Sequence, residues 1–483
     1  MGNSIRFLKS TQNEDDAPKT NKKRKHEDGP GCSEEMLEVL NTPKRKRIKS
    51  TSKYIYQTLF LDGENSDVTL KVCGKAWKLH KLYLKQSPYF SSMFGGLWKE
   101  SSMDCVEIDV VDSNITEESL KIAFGSLYKD DIFIKPIQLT SVIATATLLQ
   151  LEGLLQHCAV MIKDTVSSAT VCEYYQASSQ YGMEESRLCC LDWLTRNVLV
   201  APNVLFIRDV SPDLMVEIVG CPHLYVIQVE IDLYTLLKKW IFLIQNPTWD
   251  GENKDLLKVT DAFFKDSVKE MDGKCYLEAD VGWSYVPVFT KIRWNHVVND
   301  LTSVRMIEND KIVPIGWLDP MFLYSWWRVL TVEQGHDKGP VEHLDDAVFN
   351  ERCTRFGRIL HKSGEYCWRW IGYSYGVDLL LSVSNGRLVT VKRNTHTQTC
   401  PQAVSLLDHR NIAYRLTISS FDTDGKEKSK KTSGIKHISL GKDEEEIALV
   451  LDSDQQYPLA VSMNVVFLTP GQDPLPTLKL PNR

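Results

Sequence analysis

Asp67-Val68-Thr69-Leu70-Lys71-Val72, then Trp77-Lys78-Leu79-His80-Lys81, then Ser87-Pro88-Tyr89-Phe90-Ser91-Ser92-Met93-Phe94: the fold of the chain turns on these three runs. The first alternates with period two, so Val68, Leu70 and Val72 face one side of a strand. A second short strand is expected around Trp77 to Leu79, with a helical stretch through Leu82 and Leu84 behind it. Ser87 followed by Pro88 reads as a helix cap and first helical residue, because the hydroxyl can accept an otherwise orphaned N–H and proline has none to lose. Val106-Glu107-Ile108-Asp109-Val110 alternates again. From Thr116, Leu120, Ala123, Phe124, Leu127 and Tyr128 keep a three-four spacing that predicts an amphipathic helix, with Ile115 placed to staple onto Leu120.

Upstream the character changes. Residues 1–53 carry 13 Lys/Arg against 8 Asp/Glu, leaving 44 against 55 for the remainder of the 483 residues. The tail is basic and the rest mildly acidic, which argues against broad nucleic-acid binding. The tail is poor in aromatic residues and cannot bury enough apolar surface to offset the entropy of ordering, so disorder is expected. Two clusters, Lys22-Lys23-Arg24-Lys25 and Lys44-Arg45-Lys46-Arg47, suit the paired acidic grooves of nuclear import receptors. Thr42-Pro43 is a candidate proline-directed phosphorylation site, where phosphate would offset the charge of the second cluster. Gly2 follows Met1, but Arg6 stands where a myristoylation motif wants Ser or Thr. The 12 cysteines form no framework of a small secreted domain. No apolar run reaches membrane-spanning length; Val198 to Ile207 is short and broken by Pro202.

Downstream the pattern is helical. Leu151, Leu154, Leu155, Cys158, Ala159 and Ile162 form one stripe, and Val171, Tyr174, Tyr175, Ser178 and Tyr181 a second. Ser211-Pro212 opens another helix, and Leu233, Leu236, Leu237, Trp240, Ile241 and Ile244 mark a fourth, stopped near Asn246-Pro247. Such short helices must bury their stripes on one another. From about residue 275 the chain holds seven of its 12 tryptophans. Val377, Leu379, Leu381 and Val383 alternate up to Asn385-Gly386 and resume at Leu388, a hairpin signal because both turn residues tolerate positive φ. Further strands are expected at 414–421, 447–451 and 461–468, with a mobile loop at 422–434.

The motif order from Ser66-Asp67-Val68 through Leu79-His80-Lys81 to Phe94 resembles a BTB (POZ) domain. That resemblance implies a dimerisation module in which Asp67 and His80 are a buried polar pair that satisfy each other and nearby backbone. It also implies that Trp98-Lys99-Glu100 matches the loop by which cullin-binding BTB proteins grip a cullin, with Trp98 as the apolar anchor and Glu100 at the rim. The helices that follow, Val229 to Ile241 above all, resemble the BACK extension. No kelch period is visible. The order of BTB domain, helices and tryptophan-rich β region behind a basic tail resembles the germ cell-less family. The expected architecture is therefore α+β and multidomain. It comprises a basic disordered tail at 1–53, a BTB/POZ α/β domain at 54–164 and a BACK-like helical stack at 165–250. A C-terminal antiparallel β-sandwich or barrel at 275–469 and a Pro-rich tail at 470–483 complete it.

The family resemblance implies a nuclear protein, at the envelope or matrix, that acts in germ-cell development or spermatogenesis. It would be a homodimeric substrate adaptor of a cullin-3 ubiquitin ligase, presenting an unknown client through its β domain. The rival is a nuclear-envelope scaffold or transcriptional co-regulator, with envelope proteins or transcription-factor subunits as partners and no ligase role. No enzyme, cofactor or metal is expected: Cys-x-x-Cys, His-Glu-x-x-His, a Walker loop and Gly-x-Ser-x-Gly are all missing from the sequence. A carbohydrate-active or ligand-binding β domain is the third reading, and tryptophans lining a groove there would favour it.

Overall fold

A computed structural model describes residues 51–96, 99–200, 204–340, 344–395, 404–452, 456–468 and 475–481. Thr51–Tyr54 is a single helical turn within the N-terminal unit Met1–Tyr54; the rest concerns the unit Ile55–Arg483. The basic clusters, Thr42 and Gly2 lie outside the described residues.

The first folded layer is a three-stranded sheet ordered β2 (Lys75–Leu79), β1 (Val68–Val72), β3 (Cys105–Ile108). β1 pairs antiparallel with β2 and parallel with β3. Val68, Leu70 and Val72 are buried, as their alternation requires. Helices α1 (Lys81–Leu84), α2 (Pro88–Met93), α3 (Glu117–Ser126), α4 (Leu139–Leu148) and α5 (Glu152–Thr165) complete the layer. Ser87 caps α2 by accepting from the Phe90 N–H and passes its own hydroxyl proton to the Leu149 carbonyl at 2.5 Å, which ties α2 to α4. Thr116 and Ser119 form a reciprocal capping box at the start of α3, and the staple residues Ile115 and Leu120 are both buried.

A helical region follows: α6 (Val171–Gln180), α7 (Glu184–Asn197), α8 (Val204–Arg208), α9 (Pro212–Gly220), α10 (Ile231–Gln245) and α11 (Asn253–Glu270). Trp240 on α10 is wholly buried and its indole donates to the Val210 carbonyl at 2.9 Å. The helices do not stop near 250 or give way to strands at 275. Short helices at 280–283, 286–289 and 294–297 lead into α12 (Leu301–Asp310), α13 (Asp319–Glu333) and α14 (Asp346–Arg352). The β-rich boundary of 275 is therefore corrected to Thr354. Tryptophan density misplaced it: Trp294 and Trp317 sit in the helical core, because a large aromatic side chain fills either kind of interior.

From Thr354 the chain forms two four-stranded antiparallel sheets, a sandwich rather than a barrel. One is ordered β4 (Thr354–Leu360), β11 (Leu459–Val466), β8 (His409–Phe421), β9 (Glu427–Gly441). The other is ordered β10 (Glu445–Val450), β7 (Leu388–Arg393), β6 (Val377–Ser384), β5 (Tyr366–Gly372). Asn385 and Gly386 turn β6 into β7 at φ of 53° and 63°. Trp370 clamps the sheets, stacked on Phe356 at 5.3 Å and on Phe467 at 4.9 Å between centroids. Most of the expected mobile loop 422–434 is β9, whose alternating Lys and Ser residues give an exposed edge strand; only 422–426 form the turn. Charged side chains on an edge keep it from pairing with other chains. The expected tail is also corrected over 475–481: the Lys479 N–H donates to the Trp317 carbonyl at 3.0 Å, and Leu478 packs against the helical core.

Candidate functional site

The outer corner of the first domain is built from Asp67 upward. Asp67 is exposed and its Oδ1 accepts the Lys81 backbone N–H at 2.7 Å, fixing the start of α1. The Lys81 ammonium reaches across to the Ser101 and Met103 carbonyls, each at 3.3 Å, and lies 5.4 Å from the Phe94 ring. One side chain thus pins the turn Lys99–Ser102 that carries Glu100. Among the described residues the Glu100 carboxylate has no hydrogen-bond or ion-pair partner, while its backbone carbonyl accepts from Met103 at 3.2 Å. Two apolar side chains stand out beside this turn, Leu82 at 78% exposure and Met103 at 49%. Trp98, the expected anchor, lies outside the described residues.

Asp67 and His80 are not the mutually bonded buried pair that the resemblance implied. His80 is half-buried; its Nδ1 meets the Tyr128 hydroxyl at 3.1 Å and its Nε2 the Glu64 carbonyl at 2.9 Å. Each residue has separate partners, because Asp67 points along the strand end to the helix start while the imidazole turns under α3. Burial pushes the Tyr128 hydroxyl well above its ordinary pKa, so it stays protonated as a donor. Both residues are structural, and His80-Lys81 matters for the site through Lys81, to which sequence reasoning gave no role.

The helical region and the sandwich meet in a polar seam. Glu230, at the start of α10, and Arg355, on β4, are both 1% exposed and form a bidentate ion pair, with the Arg355 Nε–Glu230 Oε2 contact at 3.2 Å. Burial would raise the Glu230 carboxyl, but the Arg355 charge and hydrogen bonds outweigh it and hold the group below its usual range. Trp193 donates to the Asp424 carbonyl at 3.1 Å, Asn197 to the Gly425 carbonyl at 2.9 Å and Arg196 to Glu427 at 2.6 Å, so α7 grips the β8–β9 turn. Gly357 lets the chain at 226–228 lie directly on β4: a Cβ there would sit 2.5 Å from the Val226 carbonyl oxygen. Helices and sandwich are therefore one rigid support, which no sequence pattern announced.

The tryptophans do not line a groove in the sandwich. Trp370 is core, Trp368 is half-buried, and the exposed pair, Trp326 at 62% and Trp327 at 60%, stands on helix α13. Among the described residues no group of His, Cys, Asp or Glu is placed to hold a metal ion, and no helix is long and apolar enough to cross a membrane.

Residues 56–166 match the BTB/POZ domain family. Over 438 residues the chain is 44% identical to human "Germ cell-less protein-like 1", covering 90% of this chain and 85% of that protein. "Protein germ cell-less" of Drosophila melanogaster is 34% identical over 452 residues, 89% of this chain and 79% of that one. "Germ cell-less protein-like 2" of Mus musculus is 33% identical over 436 residues, 90% of this chain and 87% of its own.

Proposed function

Because this chain belongs to the germ cell-less family of BTB proteins, we propose that it is a homodimeric adaptor that brings a client to a cullin-3 ubiquitin ligase. The observation that carries the reading is the pinned turn at 99–102. An unpartnered Glu100 carboxylate there is flanked by exposed Leu82 and Met103, with Trp98 next to it in the chain. Binding energy at protein interfaces concentrates in a few apolar and aromatic anchors ringed by polar groups, and this corner supplies both kinds in a small area. Lys81 keeps the turn from having to order on binding, which removes part of the entropic cost.

Self-association through the BTB domain would put two such corners in one particle, multiplying contacts without adding new ones. The rigid seam at Glu230 and Arg355 supports client presentation, since a client held on the C-terminal half would keep a fixed orientation to the cullin. The two basic clusters support a nuclear location, and the names of the relatives support a role in germ-cell development. The test is a pull-down of the cullin-3 N-terminal domain with wild type and with a Trp98→Ala, Glu100→Ala double variant. Recovery by wild type and loss in the variant is expected. Equal recovery removes the assigned site, and no recovery by wild type leaves a nuclear scaffold or co-regulator built on the same dimer.

A further inference from the structure

Building on the adaptor reading, we propose that the outer face of α13 and the cavity at its C-terminal end are where a partner protein docks. The partner would use an amphipathic segment that inserts a Tyr or Trp side chain. Helix α13 is apolar on two faces. Met321 and Val332 are buried on the inner one. On the outer one Leu323 is 69% exposed, Trp326 62% and Trp327 60%, and half-buried Leu330 completes the i, i+3, i+4, i+7 stripe. A helix apolar all round is ordinarily buried all round. Two adjacent exposed indoles are the side chains most enriched at the energetic centres of interfaces.

The stripe runs into a cavity of about 300 Å³ lined by Trp327, Leu330, His336, Asp337, Phe467 and Leu468. That is the small end of ligand-pocket volumes, suited to one large side chain. Asp337 is 2% exposed; its Oδ2 accepts from Arg410 Nε at 3.0 Å, and its Oδ1 has no hydrogen-bond partner. An unmet buried acceptor is costly, so the cavity calls for a donor. The charge around it selects which kind. Arg410 already neutralises this carboxylate, and the buried Arg328 guanidinium is near enough to repel the Arg410 charge. Lys338 and His336 stand at the rim. A further ammonium or guanidinium would meet like charge, whereas a neutral O–H or N–H on an aromatic ring satisfies Oδ1 and fills the apolar walls. Trp327 belongs to both stripe and cavity, which joins the two into one surface.

The probe is a phage library of short random peptides selected against the full chain and counter-selected against a Trp326→Ala, Trp327→Ala chain. Recovered peptides are then measured by fluorescence anisotropy. The expected peptides share one Tyr or Trp beside apolar residues at three-four spacing. They bind the Trp327→Ala chain about tenfold more weakly, and a Tyr→Phe change in the peptide costs about tenfold against wild type, as for loss of a hydrogen bond to a charged group. No enriched pattern, a preference for charged residues in place of the aromatic donor, or a neutral Tyr→Phe change overturns the proposal. So does a self-association of the chain that the Trp substitutions abolish, since the face would then be covered by a second copy. Both substituted side chains are exposed, and circular dichroism verifies the fold. Cullin-3 binding is measured on the same chains: peptide binding without cullin binding overturns the adaptor reading and leaves this surface standing.

Discussion

Removing one partner of the Glu230–Arg355 pair is expected to loosen the sandwich from the helices without unfolding either. Both side chains are 1% exposed, so Glu230→Ala strands a guanidinium in the interior with only the Cys221 carbonyl, 3.0 Å from Nη1, left to accept from it. Breaking a buried pair this way costs about 3–5 kcal/mol. At ~1.4 kcal/mol per factor of ten, that is a hundredfold or larger rise in the opening equilibrium of the seam. Hydrogen exchange reads this locally: the Gly357 N–H, which donates to the Gln228 carbonyl at 3.3 Å across the seam, should lose protection, while β6 and β7 in the far sheet should keep theirs. Replacing both charges, as in Glu230→Leu with Arg355→Met, should recover all but about 1–2 kcal/mol, the remainder coming from the Cys221 carbonyl left without its donor. Unchanged exchange at Gly357 in the single variant, or equal loss in single and double variants, would refute the idea that this pair holds the two regions together.

Lys81→Met should weaken cullin-3 binding roughly three- to tenfold, the worth of about 0.5–1.5 kcal/mol of lost hydrogen bonding to the Ser101 and Met103 carbonyls; biolayer interferometry measures it, and an unchanged affinity contradicts the pinning role. Trp370→Ala should cost about 3–5 kcal/mol by emptying the stack between Phe356 and Phe467. Thermal unfolding of the full chain should then show the sandwich melting at a lower temperature than the helices. Burial lowers the His296 imidazole from 6.5 to about 4, with Glu230 opposing and Arg293 and Arg355 assisting. The unfolded chain therefore binds the proton more readily, so stability at the seam falls as pH drops from about 6.5 to about 4, by ~3 kcal/mol in total, and levels off below. His223, also lowered by burial, slopes the same way. Hydrogen exchange across that range should register the loss, and His296→Asn should remove most of the slope.

Where local pattern and packing demand the same thing, the sequence is a good guide. Val68, Leu70 and Val72 alternate because β1 has one buried face; Ser87 and Thr116 cap the helices they precede; Asn385-Gly386 turns the hairpin it marks. Where burial rather than periodicity sets composition, the reading fails. Tryptophans 283 to 327 are helical because an indole fills a helical core as readily as a sheet core, and β9 reads as a loop because an exposed edge strand is lined with Lys and Ser. At the site, Glu100 was legible from the motif but its support was not. Lys81 acts through carbonyls 20 and 22 residues away, a contact that only the folded chain creates. The two-faced character of α13 was legible, since Met321 to Val332 is apolar all round, but it was assigned to strands. Arg393, buried and bonded to the Ser405, Leu407, Asp408 and Leu440 carbonyls, shows how a charged strand residue can belong to a core.

Sedimentation of the chain with the purified cullin-3 N-terminal domain bears most directly on the adaptor claim. Two chains should carry two cullin domains, and a Glu100→Ala variant should still pair with itself while losing the cullin. A chain that stays single, or a paired chain that binds the cullin equally well without the Glu100 carboxylate, would contradict the account.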